Sequence, residues 1–88
     1  MVTRTVSVVN PLGLHARAAA RFVRLAAQFS STIRVARGAR ELDGKSSLGH
    51  LLLGASRGSE IVIRADGPDE GAAVDALSQM VADGFEDA

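Results

Sequence analysis

Four short segments of this chain alternate apolar and polar residues, and this alternation limits the possible folds more than any other feature. The segments span residues 3–9, 32–37, 40–43 and 60–65, and all of them except 40–43 are rich in β-branched side chains. Such segments are typical of strands with one apolar face. The residues expected to face inward are Val6, Val8, Ile33, Val35, Leu42, Ile61, Ile63 and Ala65. A sheet of this kind needs a second layer to cover its apolar side.

Three helices are predicted to supply that layer. The first covers residues 16–29, with an apolar stripe (Ala19, Phe22, Val23, Ala26, Phe29) opposite a polar stripe (Arg17, Arg21, Arg24, Gln28). The second is short and covers residues 46–53, with Ser46 or Ser47 as its cap. The third starts within residues 66–70, with Pro68 just inside it, and ends at Gly84. Its stripe is Ala73, Val74, Leu77, Met80 and Val81.

This order of elements predicts an α+β fold in a single domain spanning residues 1–88. The architecture is an open-faced β-sandwich, in which a four-stranded, mainly antiparallel sheet carries three helices on one face. The predicted order along the chain is βαββαβα.

Composition narrows the classes of function. Ten basic and ten acidic residues give a net charge of zero, which argues against general nucleic-acid binding. The chain has no cysteine and only two histidines, so we expect no metal site and no disulfide. It contains no apolar run of about 20 residues, and we therefore expect a cytoplasmic protein that does not bind membranes.

Two catalytic motifs are only partly matched. Gly44-Lys45-Ser46 resembles the end of a phosphate-binding P-loop, but the glycine required five residues before Gly44 is replaced by Ala39. No serine lies in the Gly-x-Ser-x-Gly turn of a hydrolase. Neither nucleotide binding nor serine hydrolase chemistry is therefore favoured.

The segment Gly13-Leu14-His15-Ala16-Arg17 places an imidazole and a guanidinium two residues apart, where a turn leads into the first helix. A helix N-terminus attracts anions and disfavours a protonated imidazole. A neutral imidazole can accept a phosphoryl group, and an arginine can hold its oxygens. From the residues alone, a helix-capping or solvated His15 is as good an interpretation as a phosphoryl acceptor.

Three segments together resemble the HPr family of phosphocarrier proteins of the bacterial phosphotransferase system. They are Gly13-Leu14-His15-Ala16-Arg17, Lys45-Ser46 with Leu48-Gly49, and Arg57-Gly58-Ser59-Glu60-Ile61. The resemblance implies that enzyme I, charged from phosphoenolpyruvate, phosphorylates His15, which passes the group to an EIIA-type protein. It implies that Arg17 and the backbone amides of Ala16 and Arg17 stabilise the phosphate. It also implies a carrier that works as a monomer without a cofactor.

The resemblance further implies a docking surface and a regulatory serine. Partners would dock on the first and second helices, at Ala20, Arg24, Ala27, Ser47, Leu48, Gly49 and Leu51. Ser46 resembles the serine that HPr kinase/phosphorylase modifies, and phosphate there would weaken transfer from enzyme I by repulsion. A serine at a helix start is also commonly just a cap.

Two local features qualify the resemblance. The family usually has proline directly after His-Ala-Arg, where this chain has Ala18. The ending 82–87 resembles the nitrogen-related NPr branch of the family. Two other functions stay open: a regulatory binding domain that signals through Ser46 without carrying phosphate, and anion or RNA binding by the Arg17, Arg21 and Arg24 face.

Overall fold

Four strands and two helices make up the part of the chain that the structure describes. The structure is a computed structural model, and it describes residues 1–9, 16–45 and 58–85. In chain order the elements are β1 (Val2–Ser7), α1 (Ala16–Ala26), β2 (Thr32–Arg37), β3 (Arg40–Asp43), β4 (Glu60–Asp66) and α2 (Glu70–Ala82). The predicted α+β class is confirmed. The short helix predicted over 46–53 lies outside the described residues.

The four strands form one sheet in the order β1-β4-β2-β3, with antiparallel pairing at each of its three junctions. Val6 pairs with Ile61, and Val35 lies between Ile63 on β4 and Leu42 on β3. Opposed residues in a ladder point to the same face. The register therefore collects the inward residues of all four strands on one side.

That side carries the helices and the core. α2 packs on β1 and β4 and also contacts α1. The fully buried large side chains are Val8, Phe22, Ile33, Val35, Ile61, Ile63, Val74, Leu77 and Phe85. Neither helix of the described residues is long and apolar enough to cross a membrane.

The opposite face of the sheet is polar. Arg34 on β2 and Arg64 on β4 are direct cross-strand neighbours, which would repel each other if left alone. Glu41 on β3 accepts a hydrogen bond from each guanidinium, 3.3 Å from Arg34 Nε. The positive charge on this face is thus compensated within the sheet.

The first helix is shorter than predicted: α1 ends at Ala26 rather than continuing to residue 29. The Ala27 amide still donates to Val23 in the helical pattern, but the Gln28 and Phe29 amides donate to residues three positions back. Such bonds tighten the last turn of a helix. The Lys45 ammonium donates a hydrogen bond to the Phe29 carbonyl at 2.7 Å. The lysine of the incomplete P-loop motif therefore stabilises the turn after α1.

The strand predictions are confirmed with small shifts in their ends. β1 spans residues 2–7 rather than 3–9, and β4 extends one residue further than predicted. Val8 is nevertheless buried, and its backbone bonds Ser59 and Gly58 at 2.8 Å each. The pairing of β1 therefore continues past its regular part.

The start of α2 differs from the prediction in one respect. Pro68 lies before the helix rather than inside it, and Asp69 is the N-cap residue. The Asp69 carboxylate makes no bond to its own helix. Instead it accepts hydrogen bonds from the backbone N–H of Ser30 (2.8 Å) and of Ser31 (2.9 Å), and from the Ser31 hydroxyl. This cluster fastens α2 to the turn after α1.

The same cluster is expected to make stability depend on pH. The hydrogen bonds, led by that of the Ser31 hydroxyl, lower the pKa of Asp69, so the folded state resists protonation. Stability from a lowered carboxyl pKa is complete above the unfolded value and is lost as pH falls through the folded value. The free energy of unfolding should therefore decline below about pH 4.

Asp69→Asn is expected to reduce that decline, because the asparagine amide does not titrate. The amide also turns an N–H donor toward the N–H of Ser30, which is itself a donor. Urea unfolding between pH 6 and pH 2.5 measures the slope. Some slope should remain, since the Gly67 N–H lowers the pKa of Glu70 in the same way. Ser31→Ala should give an intermediate slope, and an unchanged slope in Asp69→Asn would contradict the assignment.

α2 ends at Ala82, two residues before the predicted Gly84, and Gly84 is the residue after the cap rather than the cap itself. Asp83 is the C-cap, and Gly84 follows with a φ of 66°, a left-handed conformation that glycine adopts without strain. The Gly84 amide donates to Val81, and the Phe85 amide donates to Met80. These two bonds define a Schellman motif. In this motif the two residues joined by the second bond, here Met80 and Phe85, commonly pack together.

Candidate functional site

The candidate site is the N-terminus of α1. This helix begins at Ala16, directly after His15 in the chain. The first four N–H groups of an α-helix have no carbonyl partner within the helix, and here they include those of Ala16, Arg17 and Ala18. His15 itself lies outside the described residues. The described part therefore supplies a helix start, with donors suited to an anion, next to the candidate histidine.

Three residues predicted for docking lie on one exposed face with Arg17, two of them in α1 and Ala27 directly after it. Ala20, Arg24 and Ala27 follow Arg17 at helical spacings of three, four and three residues, and all four are exposed. This set is called the α1 face below. The other predicted site residues, Ser46, Ser47, Leu48, Gly49 and Leu51, lie outside the described residues.

Arg21 departs from the expected polar stripe. It is half-buried, and its guanidinium donates to the Phe85 carbonyl at 3.2 Å. Arg21 is therefore less exposed than the other arginines of the polar stripe, because the turn after α2 offers it a backbone acceptor. Arg17 and Arg24 remain exposed on the α1 face.

Ala18, the position where the family usually has proline, is 0% exposed. The sequence pattern placed Ala19 in the core but did not identify Ala18 as buried. As the third residue of α1, Ala18 has an amide that needs no helical partner. A proline here removes no hydrogen bond of the helix.

Ala18→Pro is therefore expected to fold and to raise the free energy of unfolding by about 0.4–1 kcal/mol, because proline restricts the unfolded chain. Urea unfolding measures this difference. Ala20→Pro is the matched control two residues further along, where the helix needs the amide, and it should lose about 3 kcal/mol. A loss of stability in Ala18→Pro would instead mean that the buried methyl position has no room for the ring.

A groove between α1 and the end of α2 was not predicted from the sequence. It has a volume of about 270 Å³ and is lined by Arg21, Arg24, Leu25, Gln28, Met80 and Phe85. The glycine at residue 84 was the available signal, since a Schellman turn brings Met80 and Phe85 together. This surface is called the α1–α2 groove below.

Within 1–9, 16–45 and 58–85, no three side chains of His, Cys, Asp or Glu are grouped to hold a metal ion. The start of α1 carries backbone amides and an arginine, which are groups that bind oxyanions.

Comparison with known proteins gives a consistent result. A family model described as the PTS HPr component phosphorylation site matches residues 2–83. The phosphocarrier protein HPr of Cupriavidus necator is 42% identical over 85 residues, which cover 97% of this chain and 96% of that protein.

Two crystal structures from Thermoanaerobacter tengcongensis are similar as well. The first, of HPr-C-His, has a TM-score of 0.88, 38% identity and coverage of 100% of this chain and 99% of that chain. The second, of an HPr dimer, has a TM-score of 0.71, 39% identity and coverage of 97% and 98%.

The fold is that of a small α+β protein with an antiparallel sheet, helices on one face and a helix start suited to an oxyanion. The chain belongs to the HPr family of phosphocarriers of the bacterial phosphotransferase system.

Proposed function

We propose that His15 accepts a phosphoryl group from phosphorylated enzyme I and passes it to a histidine of an EIIA-type protein. The observation that carries this proposal is the start of α1 directly after His15, with Arg17 exposed two residues further on. A helix N-terminus favours negative charge and neutral imidazole, which is the nucleophilic form. The imidazole nitrogen would bond to phosphorus as the bond to the donor's histidine breaks.

Arg17 would stabilise the transferred group electrostatically. Its guanidinium can donate two parallel hydrogen bonds to phosphate oxygens, and the amides of Ala16 and Arg17 add backbone donors. Because phosphoryl transfer relies mainly on positioning and charge stabilisation, these groups suffice without a cofactor. The burial of Ala18 supports this role, since it anchors the helix turn that carries these donors.

The α1 face would receive both partners. Ala20 and Ala27 give it low relief, while Arg17 and Arg24 give it positive charge, a combination that suits acidic partners. Ser47, Leu48, Gly49 and Leu51 would complete the docking surface. We propose a monomer as the working form, which leaves this face available to each partner in turn.

Ser46 would regulate the carrier through HPr kinase/phosphorylase. A phosphate on this serine would place about two negative charges within the docking surface and repel acidic enzyme I. Its neighbour Lys45 binds the Phe29 carbonyl, which ties the start of this segment to the end of α1. This contact supports the placement of Ser46 near the partner surface.

The decisive experiment incubates the protein with enzyme I and phosphoenolpyruvate and then tests the product in acid. Phosphohistidine is lost in acid and survives in base, whereas phosphoserine survives acid. The proposal expects one acid-labile phosphoryl group per chain and its onward transfer to an EIIA-type protein. No incorporation would favour the alternative of a regulatory domain that signals through Ser46 alone.

A further inference from the structure

The α1–α2 groove combines an apolar floor with positive charge. Leu25 and Met80 are half-buried, and Phe85 is 1% exposed. Arg21 and Arg24 line the same groove and bring its positive charge. None of the six lining residues is acidic.

The two arginines of the groove differ in the hydrogen bonds that their guanidinium groups make. Arg21 donates to the Phe85 carbonyl at 3.2 Å and so holds the turn that forms one wall. Arg24 is exposed, and within the described residues it makes no hydrogen bond or ion pair. By contrast, Arg34 and Arg64 on the far side of the sheet share the carboxylate of Glu41. Of these arginines, Arg24 at the groove is the one without such a partner among the described residues.

The groove is continuous with the α1 face, because Arg24 belongs to both. Its volume of about 270 Å³ lies below the range of about 300–1,000 Å³ that is common for small-molecule sites. A single apolar side chain of a protein partner, with a carboxylate beside it, fits this combination of floor and charge better.

We propose that the α1–α2 groove is an additional docking subsite for the phosphoryl donor, enzyme I. An apolar side chain of the donor would lie against Met80 and Leu25, and a neighbouring carboxylate would pair with Arg24. This inference rests on the proposed carrier function and extends its docking surface from α1 to the end of α2. The subsite contributes to binding and not to the transfer at His15.

The test measures enzyme I kinetics with variants outside the α1 face. Met80→Glu places a carboxylate on the groove floor and is expected to raise the KM for this protein about tenfold, with kcat within about twofold, because like charges repel across the interface. Gln28→Glu, at an exposed lining position, should raise KM about threefold without risk to the core. Arg40→Glu is the control for net charge, at an exposed arginine on β3, and should leave both constants unchanged.

Three results would overturn the subsite. The first is an unchanged KM in both groove variants while His15 is phosphorylated normally, which would leave the carrier function intact. The second is an equal rise in KM in Arg40→Glu, which would indicate a general charge effect.

The third concerns the chain's own acids, Glu86 and Asp87, which follow Phe85 in the sequence. If Glu86→Gln with Asp87→Asn shifts the methyl NMR signals of Leu25 and Met80 while enzyme I does not, the groove belongs to the chain itself. Failure of the carrier function is distinct, because it would appear as no phosphorylation of the wild type.

Discussion

His15→Ala is expected to accept no acid-labile phosphate from enzyme I, whereas the wild type accepts one group per chain. The loss should be complete, because alanine offers no nucleophile and Arg17 alone cannot form a covalent intermediate. Phosphate release in acid and mass spectrometry of the intact protein measure it.

The chain provides a matched control in its only other histidine. His50→Ala is expected to retain full phosphorylation, since the proposal assigns the transfer to the histidine before α1. Circular dichroism and a urea unfolding curve should show that both variants fold. Equal labelling of His15→Ala and wild type would refute the carrier assignment, and labelling lost only in His50→Ala would move the site.

Phe22→Ala is expected to lower the free energy of unfolding by about 3–5 kcal/mol, which is the usual cost of truncating a fully buried phenylalanine. Phe22 is 0% exposed and belongs to the core that α1, α2 and the sheet share. A domain of this size has a total stability of about 4–13 kcal/mol, so the loss approaches the threshold of folding. Urea unfolding at pH 7 measures it.

Phe29→Ala is the matched control for this core substitution. It removes the same side chain from a half-buried position just after α1, where less apolar surface is covered. Its loss of stability should be clearly smaller than that of Phe22→Ala. The reverse order would contradict the assignment of Phe22 to the centre of the core.

The sequence predicts the sheet well because strand periodicity is a local property. Alternation places Ile33 and Val35 on one face, and both are fully buried. The class of fold then follows, since one-sided strands require a layer of helices. The family resemblance likewise depends on short, contiguous motifs that can be recognised without the fold.

What the sequence does not predict depends on contacts between distant residues. The Ser30 and Ser31 amides, just after the turn that follows α1, bind Asp69, which is 38 residues or more further along the chain. That contact keeps Asp69 from capping its own helix. Arg21 turns from the solvent because Phe85, 64 residues away, presents a carbonyl. Helical periodicity carries no information about either partner.

The strand order β1-β4-β2-β3 also bears on how the chain folds during synthesis. β1 pairs only with β4, and Val2 lies opposite Ala65, so the first strand cannot join the sheet until about three quarters of the chain has left the ribosome. β2 and β3 are close neighbours in the sequence and can pair early, while β4 must insert between β1 and β2. Pairings over such separations slow folding. The emerging protein is therefore expected to hold an unpaired N-terminal strand for most of its translation, with Val2 and Val6 not yet covered by the sheet.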